Sequence, residues 1–113
     1  MTTDLRLNAY HIMWLFVFFD LPTLTKKDRK NAAGFRKSLE KNGFSMMQFS
    51  VYVRHCASKE SRDVHVKRVK ALVPPLGKVS ILSVTDKQYG DIVNIWGKRE
   101  LEKPDMPKQL EIF

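Results

Sequence analysis

The sequence predicts a single α+β domain, an antiparallel sheet with two helices on one face, and two observations indicate this class. Segments in which apolar residues recur at every second position alternate with two segments that have a helical period and begin at a capping residue. Their order is strand, helix, strand, strand, helix, strand, with one further short strand at the end. This order is the ferredoxin-like βαββαβ plan with an extra C-terminal strand. With 113 residues, the chain is long enough for one domain with a modest core.

The first predicted strand is an apolar run, residues 13–22, in which the apolar residues stop at the carboxylate Asp20. Its alternating faces are both apolar, with Leu15, Val17 and Phe19 on one and Trp14, Phe16, Phe18 and Asp20 on the other. A single layer of helices covers only one face of a sheet, so the other face requires a second layer. Because an exposed apolar face usually marks an interface, we expect a homodimer packed through its sheet faces. Taken alone, Asp20 is more typical of a residue that opens a turn at Leu21-Pro22.

The first helix is predicted to begin after the N-cap Thr25, which Asp28 follows three residues later, and to end at Asn42-Gly43. Its apolar stripe consists of Ala32, Phe35 and Leu39. A period of two over residues 44–54 then predicts a bent strand, or two short strands joined by a hairpin near residues 47–50. The two faces of this segment are Met47, Phe49, Val51 and Val53 on one side and Gln48, Ser50, Tyr52 and Arg54 on the other.

The second helix is predicted to begin at Ser58 and to stop at Pro74-Pro75. Its inward residues are Val66, Val69 and Val73. Residues 79–84 then have the pattern of a strand, residues 85–91 that of a turn, and residues 92–97 that of a further short strand. We therefore expect a domain over residues 1–97 that includes a short N-terminal extension at 1–11. The tail at 98–113 ends in Leu110-Glu111-Ile112-Phe113 and is a candidate partner-docking segment.

Composition indicates the class of partner and the compartment. The formal net charge is +8 and the pI about 9.8, which favours a polyanionic partner. Cys56 is the only cysteine, so an internal disulfide and a multi-cysteine metal cluster are excluded, as is typical of a reducing cytosol. The apolar run of the first strand is too short to span a bilayer, and the residues before it do not resemble a signal peptide. We expect a cytoplasmic protein with no membrane partner.

The histidines and the cysteine form no recognisable site. His11, His55 and His65 have no metal-binding spacing with one another or with Cys56. His55 and Cys56 are not a nucleophile pair, because adjacent residues of a strand point to opposite faces. We therefore expect these side chains to be ordinary strand and helix residues.

Four segments in this order resemble the second CRISPR-associated protein family (Cas two). They are Phe18-Phe19-Asp20-Leu21-Pro22-Thr23, the Lys/Arg-rich helix that follows, Gly43-Phe44-x-x-x-Gln48-Phe49-Ser50-Val51-Tyr52-Val53-Arg54, and Val84-Thr85-Asp86-Lys87-Gln88. The resemblance covers residues 13–97, and its Asp-Leu-Pro-Thr form is similar to members from type II systems. It implies a dimer of ferredoxin-like protomers whose final strand crosses to complete the partner's sheet.

The resemblance also implies a function in the acquisition of new spacers. In that role the dimer bridges two copies of the CRISPR integrase dimer (Cas one), and the complex holds a short foreign DNA duplex for insertion into the array. The integrase performs the transesterification, and this chain is the scaffold and part of the duplex-binding surface.

Some members of the Cas two family, which this sequence resembles, are described as metal-dependent endonucleases that act on RNA or DNA. In those members, the acid that ends the first strand lies beside the same residue of the second protomer, across the dimer axis. The corresponding residue of this sequence is Asp20. Two such carboxylates can hold one Mg²⁺, or Mn²⁺ in its place, which activates a water against a phosphodiester. Asp20 is therefore the candidate catalytic and metal-binding residue.

Basic residues on both predicted helices are candidates for nucleic-acid binding. Charge runs are usually solvated faces, but here both helices cover the same side of the sheet and few acids interrupt them. Phosphate contacts alone hold a duplex with little sequence preference. The candidate residues are Arg54 first, then Lys26, Lys27, Arg29, Lys59 and Arg62.

The alternative hypothesis is an RNA-recognition-motif protein without catalysis, since that fold has the same order of elements and exposed sheet aromatics. Residues 43–49 resemble part of its signature. They lie directly after the first helix, however, and Met46 takes the place of a stacking ring. A small regulatory domain that binds a metabolite explains neither the charge nor Asp20.

Overall fold

The structure is a computed structural model that describes residues 11–97 and the backbone of residues 99–100. Its elements are β1 Met13–Asp20, α1 Lys26–Lys41, β2 Ser45–Gln48, β3 Val51–Cys56, α2 Lys59–Leu72, β4 Lys78–Thr85, α3 Asp86–Gly90, β5 Ile95–Trp96 and β6 Arg99–Glu100. Four strands form an antiparallel sheet in the order β2-β3-β1-β4, and β5 and β6 pair separately. This α+β arrangement is consistent with the predicted ferredoxin-like plan.

The core lies between the helices and one face of β1. This strand occupies the middle of the sheet, paired on one side with β3 and on the other with β4. Its helix-facing residues are Met13, Leu15, Val17 and Phe19, none more than 6% exposed. They pack with Phe35 and Leu39 of α1 and Val69 of α2. The alternation of β1 therefore directs one apolar face to the helices, as predicted.

Local capping fixes where the two long helices begin. At α1, Thr25 Oγ1 accepts a hydrogen bond from the Asp28 backbone N–H at 2.9 Å, and the Asp28 carboxylate accepts one from the Thr25 N–H at 3.2 Å. At α2, Ser58 Oγ accepts from the Ser61 N–H at 3.0 Å. After α1, Gly43 adopts a φ of 85°, a conformation that glycine reaches without strain. The predicted helix signals are confirmed.

Thr25→Ala removes one side of this capping box, and we expect the free energy of unfolding to fall by about 1 kcal/mol. Urea denaturation followed by circular dichroism measures this change. Thr23→Ala is the matched control, because it deletes a hydroxyl from the same exposed loop without touching the cap. Equal stability losses in the two variants would contradict the capping argument.

Three predictions about the second half of the chain were wrong. Residues 85–91 are not a simple turn but contain α3, capped by Thr85 and Gln88. The strand expected at 92–97 is reduced to β5, which pairs with β6 and not with the main sheet. Val73 is 39% exposed, because α2 ends at Leu72 and the residue before Pro74-Pro75 is extended. His65, 7% exposed, is buried on α2 and its Nδ1 lies 2.8 Å from the Ser61 carbonyl.

The N-terminal extension before His11, residue 98, the side chains of residues 99–100 and the segment 101–113 lie outside the described residues. The predicted docking segment at 110–113 is among them. In the part of the chain that is described, no helix has the length and apolar character needed to cross a membrane.

Candidate functional site

Asp20 is the last residue of β1, as predicted, and its side chain is exposed. In the sheet it lies opposite Lys78, the first residue of β4. Both residues border a cleft of about 320 Å³, lined by Phe18, Phe19, Asp20, Ser50, Val51, Lys78 and Ser80. One carboxylate and one ammonium group therefore border the same cleft at this end of the sheet.

The backbone around Asp20 is held by close contacts. The Phe19 N–H donates to the Ser50 carbonyl at 3.1 Å, which ties the β2–β3 turn to the end of β1. Ser50 itself has a φ of 67°, in the left-handed region that residues with a Cβ seldom adopt. On the other side, a Cβ at Gly77 would lie 2.8 Å from the Asp20 carbonyl oxygen, and Gly77 has a φ of 100°. The backbone thus fixes the point from which the Asp20 side chain projects.

Asp20 is the one carboxylate of the described residues that lines this cleft. Among the described residues, no group of three or more His, Cys, Asp or Glu side chains is placed to hold a metal. A Mg²⁺ ion keeps several waters and is commonly bound through one or two carboxylates. Asp20 supplies one exposed carboxylate, a donor of the kind that Mg²⁺ accepts together with waters.

The opposite face of β1 is partly covered by α3. Tyr89 stacks on Trp14 with ring centroids 3.7 Å apart and planes 4° apart, and Trp14 Nε1 donates to Asp86 Oδ1 at 2.6 Å. Phe16 lies beside the same tyrosine, at 6.0 Å, and is only 6% exposed. Burial, with the nearby Asp86 carboxylate, raises the pKa of the Tyr89 phenol. The chain therefore supplies part of the second layer itself.

Beyond α3, the part of the chain that the structure describes leaves the same face open. Phe18 is 38% and Leu82 48% exposed, on neighbouring strands. They border a groove of about 290 Å³, lined by Phe16, Phe18, Met47, Gln48, Val51, Leu82, Val84, Gln88 and Ile92. We call these residues the sheet-face groove. The contribution of Tyr89 was not predicted from the sequence, although the Thr85–Gln88 capping pair is a signal for α3.

This face is unlike that of an RNA-recognition motif, which stacks bases on exposed rings of its central strands. Across β3, the residues opposite Phe18, Phe16 and Trp14 are Val51, Val53 and His55. None of these three is a phenyl, phenol or indole ring, and α3 covers much of the aromatic surface of β1. Apart from Phe18 and His55, the open part of this face is aliphatic, which favours apolar packing over an array of stacked bases.

Arg54, the first candidate for a phosphate contact, is half-buried on the helix side of β3. Its Nη1 donates to the Asn42 carbonyl at 2.9 Å and so closes the end of α1. A Cβ at position 43 would collide with that nitrogen, so Gly43 makes room for the guanidinium. Arg54 thus has a structural contact within its own chain, and its binding role stays a prediction.

The other basic candidates divide between the two ends of the sheet. Lys26, Lys27 and Arg29 lie in the first turn of α1, at the Asp20 end, whereas Lys59 and Arg62 begin α2 at the opposite end. The three lysines are exposed. Arg29 donates to the Thr23 and Leu24 carbonyls at 3.0 and 3.2 Å. Arg62 is paired with Asp63 at 3.0 Å and reaches the Ser83 hydroxyl at 3.4 Å. The binding role of all five residues stays a prediction.

His55 and Cys56 lie on opposite faces of β3, as predicted. The imidazole of His55 is 5.2 Å from the Trp14 ring on the open face, whereas Cys56 is 1% exposed and belongs to the core. Burial raises the pKa of the Cys56 thiol, and the nearby Arg54 opposes that shift only in part. A protonated, buried thiol has no role as a nucleophile.

Comparison with known proteins identifies relatives over most of the chain. The family described as CRISPR associated protein Cas2 matches residues 13–92. A protein of Flavobacterium psychrophilum named CRISPR-associated endoribonuclease Cas2 is 49% identical over 108 residues, which cover 96% of this chain and 94% of the relative. Relatives with the same name from Parvibaculum lavamentivorans and Paracidovorax avenae are 52% and 42% identical, and they cover 89% and 95% of this chain and 100% and 99% of their own lengths. The matched residues include β1 to α3, and hence Asp20 and the sheet-face groove.

Proposed function

Because the chain belongs to the CRISPR-associated protein Cas2 family, we propose that it is a CRISPR adaptation protein, a homodimer that binds duplex DNA as the scaffold of the spacer-integration complex. The observation that carries this proposal is the sheet-face groove, an apolar surface that the described residues of one copy leave uncovered. In this proposal the CRISPR integrase (Cas one) is the partner that performs the integration chemistry.

The groove favours a second copy of the same chain as its occupant. Packing groove against groove about a two-fold axis covers Phe18 and Leu82 of both copies with apolar side chains. Asp20 lies at the end of β1 that carries Phe18, so the same packing can bring the two Asp20 carboxylates together. Dimerisation would in this way supply both the missing layer and the missing ligand.

Duplex binding is supported by the distribution of charge. The formal net charge is +8, and the exposed Lys26 and Lys27 project from the first turn of α1 at the Asp20 end. Two copies double this surface, and contacts to phosphates carry no sequence information. Such a surface suits a protein that handles DNA of arbitrary sequence.

We expect the double substitution Lys26→Gln with Lys27→Gln to weaken binding of a mixed-sequence duplex. Loss of two phosphate contacts lowers the slope of log K against log salt by roughly 2. Electrophoretic mobility shifts across a salt series measure both changes. The matched control is Lys67→Gln with Arg68→Gln, which removes the same charge from exposed positions of α2. Equal losses of duplex affinity in the two double variants would show that only the total charge matters.

The scaffold role has a separate test, which is whether the protein co-purifies with the integrase.

Metal-dependent cleavage of RNA or DNA is a second candidate activity, favoured by the exposure of Asp20 in its cleft and by the endoribonuclease names of the relatives. Two Asp20 carboxylates, one from each copy, would hold Mg²⁺ or Mn²⁺. When bound, the ion would lower the pKa of a water and neutralise charge on the phosphodiester. Lys78, opposite Asp20 in the sheet, adds a positive charge that attracts a phosphate to the cleft.

A further inference from the structure

Phe49, in the turn between β2 and β3, is 75% exposed and yet its ring is held in place. The Arg36 guanidinium carbon lies over that ring, 4.4 Å from its centroid. The same guanidinium lies 5.5 Å from the ring of Phe19, which is buried and packs edge-on against Phe35 at 5.1 Å. A continuous stack therefore runs from the core through Arg36 to an exposed ring.

Two features show that this stack is built into the fold. Arg36 is half-buried, and its Nε is buried without a hydrogen-bond partner among the described residues. The turn that carries the Phe49 ring is fixed by Ser50, whose backbone is in the left-handed region. The Ser50 carbonyl also accepts a hydrogen bond from the Phe19 N–H at 3.1 Å. One side of the Phe49 ring is thus occupied by a cation, and most of the remaining ring is offered to solvent.

We propose that Phe49, backed by Arg36, is a stacking platform for an unpaired nucleobase. An aromatic ring with a guanidinium beside it is the combination that binds bases of single strands, and it tolerates any sequence because every base has a π-face. Lys26, Lys27 and Lys78 lie at the same end of the sheet and supply charge for the flanking phosphates.

The inference rests on the proposed binding of nucleic acid and refines its substrate class. In a blunt duplex every base is paired, and only the outer face of each terminal pair is free, so a platform for an unpaired base has little to hold unless the end opens. A duplex with a single-stranded overhang presents free bases at no such cost. The protein therefore binds a duplex with an overhang in preference to a blunt duplex of the same length.

The test compares full-length protein variants on two fluorescent duplexes, one blunt and one with an overhang that contains 2-aminopurine. We expect Phe49→Ala to weaken binding of the overhang duplex roughly tenfold, within a range of about 5- to 100-fold, and to leave blunt-duplex binding unchanged. Phe49→Leu behaves like alanine because it keeps apolar bulk without a ring, whereas Phe49→Trp retains the preference. The 2-aminopurine fluorescence changes on binding only where position 49 carries a ring.

Leu24→Ala is the matched control, since Leu24 is 89% exposed and also lies in a loop. Unchanged overhang binding in Phe49→Ala would overturn the inference, as would an equal loss on both duplexes. If the wild-type protein ignores blunt duplexes but binds overhangs or single strands through Phe49, the proposed duplex scaffold fails and the platform stands. If it binds none of these, both fail.

Discussion

Asp20→Asn is expected to lower Mg²⁺-dependent cleavage of RNA or DNA by about 100-fold or more. The substitution keeps the shape of the side chain and removes its negative charge. A dimer of the variant therefore lacks both anionic ligands of the proposed metal site. Loss of several kcal/mol of transition-state stabilisation corresponds to a rate loss of at least this size. Cleavage of labelled oligonucleotides, measured over a Mg²⁺ titration and after chelation, gives the change in kcat/KM.

Two controls separate a catalytic role of Asp20 from a structural one. Asp91→Asn removes another exposed carboxylate, one that pairs with Lys87 at 2.9 Å away from the cleft, and should leave cleavage unchanged. Because the Asp20 side chain is exposed, its variant should keep the free energy of unfolding to within about 0.5 kcal/mol. Cleavage that persists in Asp20→Asn at the wild-type rate would assign the activity to another group or to a contaminant.

What could be predicted from the sequence is what short-range chemistry determines. The start of α1 depends on Thr25 and Asp28, which contact each other across three residues, and both the signal and the contact were visible in the sequence. The burial of alternate β1 residues follows in the same way from the period of the strand. The position of Asp20 at the end of that strand required no knowledge of the rest of the fold.

The errors occur where distant residues decide the local structure. α3 has only five residues, and it is held in place by two contacts to Trp14, one from Asp86, 72 residues later in the chain, and one from Tyr89 in the same helix. The hydrophobic period of a short segment carries no information on contacts with residues so far away in the chain. Similarly, the cross-strand position of Lys78 opposite Asp20 depends on the register of β4.

Phe49 is the clearest case of a period that fails. Alternation places it on the same face as Val51, but the register shifts between Met46 and Gln48 and Ser50 is left-handed. The ring therefore turns to the helix side, where it meets Arg36. A bulge and a positive φ outside glycine leave no trace in a hydrophobic pattern, so this part of the candidate site could be found only in the structure.

Leu82→Lys is expected to weaken the proposed homodimer by about 100-fold or more while leaving the protomer folded. Leu82 is 48% exposed on β4, so a lysine there reaches water in the monomer. In a dimer packed through the sheet-face groove, the same ammonium group would be buried without a partner, at a cost of several kcal/mol. Sedimentation equilibrium gives the dissociation constant, and denaturation of the dilute monomer gives the stability of the fold.

Val64→Lys provides the comparison, because Val64 is 45% exposed on α2 and lies outside the groove. The two variants have the same charge and replace similarly exposed apolar side chains, so only Leu82→Lys should dissociate. It should also lose cleavage at Asp20, since the proposed metal seat requires carboxylates from two chains. If both variants remain dimeric, the interface lies elsewhere. The proposal that the Asp20 side chains of the two protomers form one metal site would then have no structural support.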